Sequence, residues 1–220
     1  MKAAYFILAL TALVHADSLD AVLNRMDQAA KTFKSLTSDV HHVEYSDLFK
    51  ETKPEDGTFK ELKKTGVSLL AKFEGRDQRT IFMRGNKLLI YHPKANSYDE
   101  YDTRNFTKSA DLLIMVGFGT PKADLLKKYD ISLDGTETLG TKKTTRINLK
   151  PRSKEEKNFF NVIQLWIPDG EGNPIQEKVL TKEKDYNLLQ FNNLKINPQI
   201  SESEFEWTPP PGTKKISAGK

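Results

Sequence analysis

The sequence predicts an α+β fold made mainly of antiparallel β-strands, which form a barrel, a partial barrel or a strongly curved sheet. Three observations support this prediction. One amphipathic segment near the N-terminus has helical spacing, most of the remaining chain alternates with a period of two between turn residues, and no repeat at a fixed period is present. The last observation argues against a solenoid or a propeller.

The first sixteen residues have the character of an export signal. Lys2 supplies a positive charge, residues 3–13 form an apolar run shorter than the roughly 20 residues that span a bilayer, and Val14-His15-Ala16 offers small residues at the positions that a signal peptidase reads. We expect cleavage after Ala16 and a periplasmic location; a retained membrane anchor is the alternative. Residues 17–220 are then expected to form a single domain.

Composition narrows the possible functions. The chain has no cysteine, which excludes disulfides, thiolate metal ligands, cysteine nucleophiles and a lipid anchor on cysteine. Its 34 basic and 30 acidic residues are mixed along the sequence, so the formal net charge of +4 is typical of a soluble surface rather than of a nucleic-acid footprint. A hydrophobic content of 37% suits a shell with a polar outside and an apolar lining.

A helix is predicted at 17–37, because its apolar residues form one stripe. Asp17 or Ser18 is placed to cap its first amides. The stripe fits equally a helix packed on a sheet and a helix that closes a cavity as a lid. Its members are Leu19, Val22, Leu23, Met26, Ala29, Ala30, Phe33 and Leu36.

The segments that follow alternate like strands. Predicted strands cover 38–49, 67–73, 79–84, 87–91 and 97–101. Gly85-Asn86 favours a tight antiparallel hairpin. Residues 50–64 are charged and contain Pro54 and Gly57, so they are predicted to be a loop or a frayed hairpin.

Two short helices are predicted to interrupt the strands. The first, at 109–116, is apolar on nearly every side and must be covered by protein or by ligand. The second, at 122–128, begins after Thr120-Pro121. Gly117 and Gly119, on either side of Phe118, would suit a movable lid, although a buried core helix ended by glycine is the commoner arrangement.

The rest of the chain is predicted to be a β-meander. Turn residues at 134–135, 140, 169–173 and 184–185 separate its segments. The predicted strands cover 129–133, 144–149, 161–167, 175–180 and 187–196.

The sequence offers few groups for catalysis, and we expect no enzyme activity and no cofactor. The neighbouring residues His41 and His42 point to opposite faces of a strand and cannot share a metal, and His92 precedes Pro93 in a turn. The acidic turn at 169–173 lacks the closing glutamate of a calcium loop. Lysine pairs are dispersed beside turns, which argues against nucleic-acid binding.

Motifs at two places resemble those of the LolA family, the periplasmic carriers of outer-membrane lipoproteins. One is the hairpin Gly85-Asn86-Lys87-Leu88-Leu89-Ile90-Tyr91-His92-Pro93, and the other is the ending Phe205-Glu206-Trp207-Thr208-Pro209-Pro210-Pro211-Gly212, with Leu165-Trp166-Ile167 as a supporting detail. Together with the order of signal, amphipathic helix, strands and apolar helix, the likeness covers essentially the whole mature chain. None of these motifs is a catalytic signature.

The resemblance implies an unclosed, or half, β-barrel that is covered by the N-terminal helix and by short lid helices. It implies an apolar cavity that shields lipoprotein acyl chains on their way from the inner to the outer membrane. The implied partners are an inner-membrane lipoprotein-releasing ABC transporter and an outer-membrane receptor. No reaction and no cofactor are implied, and we expect a monomer.

One feature of the family is altered in this chain. The resemblance implies a lysine followed by an arginine near the end of an early strand, where the arginine latches the lid to the barrel, but the matching pair here is Lys72-Phe73. Arg76, Arg79 or Arg84 could take this role if the register shifts. A purely apolar closure by Phe73 is the alternative.

Candidate residues for the cavity lining come from three parts of the chain. Each could instead belong to a filled core, and a slip of one residue would exchange the two faces of a strand. The candidates are Leu23, Met26 and Phe33 in the first helix, Leu69, Phe73, Ile81 and Met83 in the early strands, and Leu112, Leu113, Met115 and Phe118 in the candidate lid.

Two further functions fit the same sequence. The fold could carry another lipid or an apolar metabolite, or it could serve as a lipid-sensing or scaffold module of the envelope. An enzyme is the least supported function, because no set of His, Asp, Ser or Glu residues converges in the sequence pattern.

Overall fold

The computed structural model describes residues 17–103, 116–181 and 184–217. Within these residues the chain forms two helices, α1 Leu19–Thr32 and α2 Lys122–Lys128, and twelve strands. The strands are β1 Ser35–Ser46, β2 Glu51–Lys63, β3 Val67–Phe73, β4 Arg79–Arg84, β5 Lys87–His92, β6 Ser97–Asp102, β7 Tyr129–Leu139, β8 Lys142–Pro151, β9 Val162–Pro168, β10 Gln176–Leu180, β11 Tyr186–Ile196 and β12 Lys214–Ser217. The predicted signal sequence and nearly all of the predicted helix at 109–116 lie outside the described residues.

The described strands all belong to one sheet, in the order β12-β6-β5-β4-β3-β2-β1-β11-β10-β9-β8-β7. Neighbouring strands are antiparallel, except that β12 runs parallel to β6. The edge strands β12 and β7 do not pair with each other, so the sheet stays open. The prediction of a mainly antiparallel, unclosed half-barrel accompanied by helices is confirmed.

The first helix is shorter than predicted. It begins at Leu19, where the Ser18 side chain accepts a hydrogen bond of 3.2 Å from the Ala21 amide, and it ends at Thr32. The backbone is already extended at Phe33, and Leu36 lies in β1 opposite Glu61. The helical stripe therefore continues into a strand, because β1 pairs with β2 on one side and with β11 on the other.

The segment predicted to be a loop or a frayed hairpin is the long strand β2. Gly57 fits there because a Cβ atom would lie 2.3 Å from the Lys72 carbonyl oxygen, so glycine lets β3 approach closely. Pro54 lies in the part of β2 that extends beyond its pairing with β3, where no ladder hydrogen bond to β3 is required.

The prediction of a turn at Asp134-Gly135 is also wrong. Strand β7 continues to Leu139, and its register against β8 shifts between Leu133 and Gly135, which marks a β-bulge. Gly135 has φ 113, a backbone conformation that favours glycine.

Helices and strands enclose three hydrophobic clusters. We call the face of the sheet on which α1 and α2 pack the inner face. It carries a first cluster over β1–β5 and β11, and a second cluster over β7–β10. On the outer face, Phe205 is buried against Phe82 and Leu89, and the Trp207 ring lies 6.0 Å from the Phe82 ring. The family-like ending thus packs against the back of the sheet.

Candidate functional site

The first cluster forms a continuous, mainly apolar surface across β1–β5 and β11. Residues directly opposite on neighbouring strands point to the same face, and the pairings Leu36 with Glu61, Glu61 with Leu69, Leu69 with Met83, and Met83 with Leu88 form one such row. A parallel row consists of Phe59, Ala71, Ile81 and Ile90. The register that the sequence left open therefore places Leu69, Phe73, Ile81 and Met83 on the inner face.

Two aromatic residues outside the strands complete this cluster within the described residues. Phe33 follows the end of α1 and Phe118 lies between Gly117 and Gly119, and their ring centroids are 6.4 Å apart. The Phe118 ring also meets the Phe191 ring edge-on at 5.1 Å. We call Phe33 and Phe118 the aromatic cover.

Residues 117–119, which we call the link, carry Phe118 and pack closely against Phe33. A Cβ atom on Gly119 would lie 2.5 Å from Cδ1 of Phe33, and Gly119 has φ 57. Gly117 has φ 109, which also favours glycine. A glycine on each side of Phe118 therefore gives the link a backbone freedom that other residues lack.

The second cluster is a helix-covered core. Val22, Leu23 and Met26 of α1 and Leu125 of α2 pack on strand residues such as Ile163. Met26 and Ile163 are fully buried. Extensive helix-on-sheet contact of this kind fixes the position of α1.

The structure brings together more than half of the predicted lining residues. Phe33, Leu69, Phe73, Ile81 and Phe118 belong to the first cluster, and Met83 packs against it. Leu23 and Met26 belong instead to the second cluster. Leu112, Leu113 and Met115 lie outside the described residues.

Two buried carboxyl groups on the inner face were missed by the sequence reasoning. Glu61 is 3% exposed and Glu177 is 0% exposed. Burial raises the pKa of Glu61 to about 8, against an opposing effect of the Lys63 charge, and burial raises the pKa of Glu177 well above its ordinary value. The period of two could have revealed Glu177, because it lies on the same strand face as Ile175 and Val179.

A charged network borders the first cluster at Phe73. The Arg79 guanidinium binds both carboxylate oxygens of Glu55, at 2.6 and 2.8 Å, and lies 4.3 Å from the centre of the Phe73 ring. His42 contacts Glu55 through Nδ1 at 2.6 Å and Asn187 through Nε2 at 2.9 Å. A cavity of about 460 Å³ opens beside these residues.

The network explains the state of Glu55 and shows the partners of Arg79. Burial by itself would raise the pKa of Glu55, but hydrogen bonds from His42 and Arg79 outweigh it and lower the pKa below its ordinary value. Arg79, one of the candidate latch residues, is therefore held by β2, within the sheet. Phe73 is buried beneath its guanidinium.

Among the described residues, no group of three or more histidine, aspartate or glutamate side chains is arranged to hold a metal ion. The same part of the chain contains no helix that combines the length and the apolar character needed to cross a membrane.

Fold and inner face together define a half-barrel protein with an apolar concave side. Residues 20–218 match the model of a family described as predicted periplasmic protein, DUF2092. Since the match covers nearly the whole chain, this protein belongs to that family, and the prediction of a periplasmic location is confirmed.

Individual relatives are distant. An uncharacterized protein of Methanocaldococcus jannaschii is 22% identical over 145 residues, and the match spans 65% of this chain but 39% of that protein. The crystal structure of an uncharacterized conserved protein from Thermus thermophilus superposes with a TM-score of 0.57 at 10% identity, covering 90% of this chain and 98% of the other. At this identity the likeness shows the fold alone.

A LolA superfamily protein is also among the similar structures. It comes from Nitrosomonas europaea, is 10% identical, and has a TM-score of 0.43, with 87% of this chain and 99% of the other covered.

Proposed function

We propose that this protein is a periplasmic carrier that shields the acyl chains of lipoproteins, and that these chains bind on the inner face over β1–β5, beneath the aromatic cover. The observation that carries the proposal is the first cluster itself. It offers a continuous, mainly apolar surface. Among the described residues, two aromatic side chains cover this surface, whereas helices cover the second cluster.

The energetics of carriage favour such a surface. Each CH₂ group removed from water contributes about 0.8 kcal/mol of favourable free energy. An acyl chain that lies across several strands therefore regains a large part of the free energy that it loses on leaving a membrane. The first cluster is packed when closed, with Phe59 and Phe73 buried. An entering chain must therefore displace the aromatic cover and take over its contacts.

Displacement involves the link at 117–119 rather than the sheet. Gly117 and Gly119 allow the backbone around Phe118 to rotate. The strands below are hydrogen-bonded on both sides, and α1 is fixed by the second cluster. Opening by movement of Phe118 thus leaves most of the fold unchanged.

The partners follow from the resemblance. We propose that an inner-membrane lipoprotein-releasing transporter loads the carrier and that an outer-membrane receptor accepts the cargo. The site is proposed to bind and not to react, because its lining is mainly apolar. The lining residues that we propose are those predicted from the sequence over β1–β5 and the cover; for Leu23, Met26, Leu112, Leu113 and Met115 the assignment stays a prediction.

The test is extraction of triacylated lipoprotein from inner-membrane vesicles by the purified mature chain. Met83→Glu places a charge on the proposed surface, and Leu133→Glu makes the same kind of change at an edge position that is 43% exposed. We expect wild type and Leu133→Glu to form a soluble complex, and Met83→Glu to form at least about tenfold less, because a charge must be desolvated against the acyl chain.

Absence of a soluble complex with wild type, or equal yields from the two variants, would count against the proposal. Native mass spectrometry of the protein isolated from its own periplasm identifies the cargo. A different lipid or an apolar metabolite in that spectrum would favour the alternative in which the same fold carries another ligand.

A further inference from the structure

Glu177 occupies an unusual position on the inner face. It lies in β10 directly opposite Leu189 of β11 and Leu165 of β9. Leu189 belongs to the first cluster and Leu165 to the second, so Glu177 marks the boundary between them. Its side chain is fully buried, and neither carboxyl oxygen has a hydrogen-bond partner within the described residues.

A carboxyl group in such surroundings is unsatisfied, and its charged form is disfavoured. Burial raises the pKa of Glu177 well above its ordinary value, which favours the neutral form. A protonated carboxyl offers one O–H donor and free acceptor capacity, and leaving both unused is unfavourable compared with an apolar side chain of similar size. Packing alone therefore does not account for a glutamate here.

The link at 117–119, which carries Phe118 of the aromatic cover, lies over the neighbourhood of Glu177. A Cβ atom on Gly117 would lie 3.0 Å from Cδ1 of Leu165, the residue next to Glu177 across the sheet. The following residue, Phe118, packs on Phe191, which is two positions from Leu189 on the same face. Lifting this link opens the surface of the first cluster and the neighbourhood of Glu177 together.

We propose that Glu177 is the polar contact of the acyl-binding site, and that its carboxyl group hydrogen-bonds to a hydroxyl or an amide group carried by the cargo's acyl portion. The inference rests on the proposed function, since the acyl chain must first enter beneath Phe118. It specifies the ligand class as an amide-linked or hydroxylated acyl lipid. Both groups donate and accept, and thus match a neutral carboxyl, whereas an ester can only accept.

Three ligands with the same saturated chain test the inference: methyl palmitate, N-methylpalmitamide and the methyl ester of hydroxypalmitate. Their dissociation constants are measured with the mature chain by displacement of a fluorescent fatty-acid probe. We expect wild type to bind the amide, the hydroxylated ester or both about tenfold more tightly than methyl palmitate. The preferred ligand then distinguishes the amide from the hydroxyl source.

Variants separate this role from a structural one. Glu177→Leu replaces an unpartnered carboxyl with an apolar group, so it is expected to fold, to bind all three ligands alike and to keep the methyl palmitate affinity within about twofold. Glu177→Gln retains a donor and an acceptor and should keep the preference. Glu204→Leu removes an exposed carboxyl that pairs with Lys60, away from the proposed site, and should also keep the preference.

The outcomes are distinct. Equal binding of all three ligands by wild type, or an unchanged preference in Glu177→Leu, would overturn the role of Glu177 and leave the carrier proposal standing. If wild type binds none of the three ligands, the proposed function fails, and the inference falls with it.

Discussion

The two halves of the inner face are built from the same sheet but are closed in different ways. Over β7–β10, helices α1 and α2 bury Ile147, Leu149 and Ile163 completely. Over β1–β5, two aromatic residues from connecting segments provide the described cover. A helix packed along a sheet is hard to displace, whereas two side chains are not. We propose that a fixed core lies beside a surface that exchanges its cover for a ligand.

Matched truncations in the two halves should produce the largest contrast. Ile163→Ala in the helix-covered half is expected to lower the free energy of unfolding by about 2–5 kcal/mol, because it leaves a cavity in a fully buried site, and to leave lipid affinity nearly unchanged. Leu69→Ala in the other half removes apolar ligand contact and should weaken lipid binding by roughly tenfold or more. Urea titration and lipid titration of both variants provide the measurement.

The reverse pattern would break the comparison. If Ile163→Ala weakened lipid binding while Leu69→Ala affected stability alone, the acyl chains would have to lie over the helix-covered half.

The buried carboxyl of Glu61 should make the half over β1–β5 sensitive to pH. Its pKa is about 8 in the folded protein against 4.5 for an ordinary glutamate, so between these values the folded state binds a proton that the unfolded state has lost. The free energy of unfolding must then fall as pH rises from about 4.5 to 8, by on the order of a few kcal/mol. Glu177 acts in the same direction.

Denaturation at a series of pH values checks this slope. Glu61→Gln should reduce it, and the double variant with Glu177→Gln should reduce it further. Glu204→Gln is the control, because Glu204 forms an exposed pair with Lys60 and its pKa is lowered, which confines its effect to more acidic pH. A slope that is the same in wild type and Glu61→Gln would show that Glu61 is ionised in the folded state.

Local signals in the sequence predicted part of this architecture accurately. Helix α2 and strands β3 and β4 have the predicted bounds, because Pro121 and the Gly85-Asn86 hairpin are short-range determinants. The periplasmic location and the half-barrel class were also predicted correctly, the latter through the family resemblance.

Features that depend on distant parts of the chain were not predicted. Strand β2 forms despite Pro54 and Gly57 because it pairs with β1 and β3, and β12 adds to the sheet through Ser97, more than one hundred residues before it. The sequence predicted the apolar stripe of the first helix. It did not predict that Phe33 packs on one half of the sheet and the residues before it on the other. Local periodicity specifies which residues are buried, whereas the pairing of distant strands specifies which residues they pack against.

Methyl-resolved NMR of residues 17–220, titrated with an acyl lipid, tests the central claim most directly. Leucine and isoleucine methyl groups report on both halves at once. The account predicts that Leu69, Ile81, Leu88 and Ile90 shift on binding while Ile147, Leu149 and Ile163 do not. Shifts confined to the helix-covered half, or no shifts in either half, would contradict it.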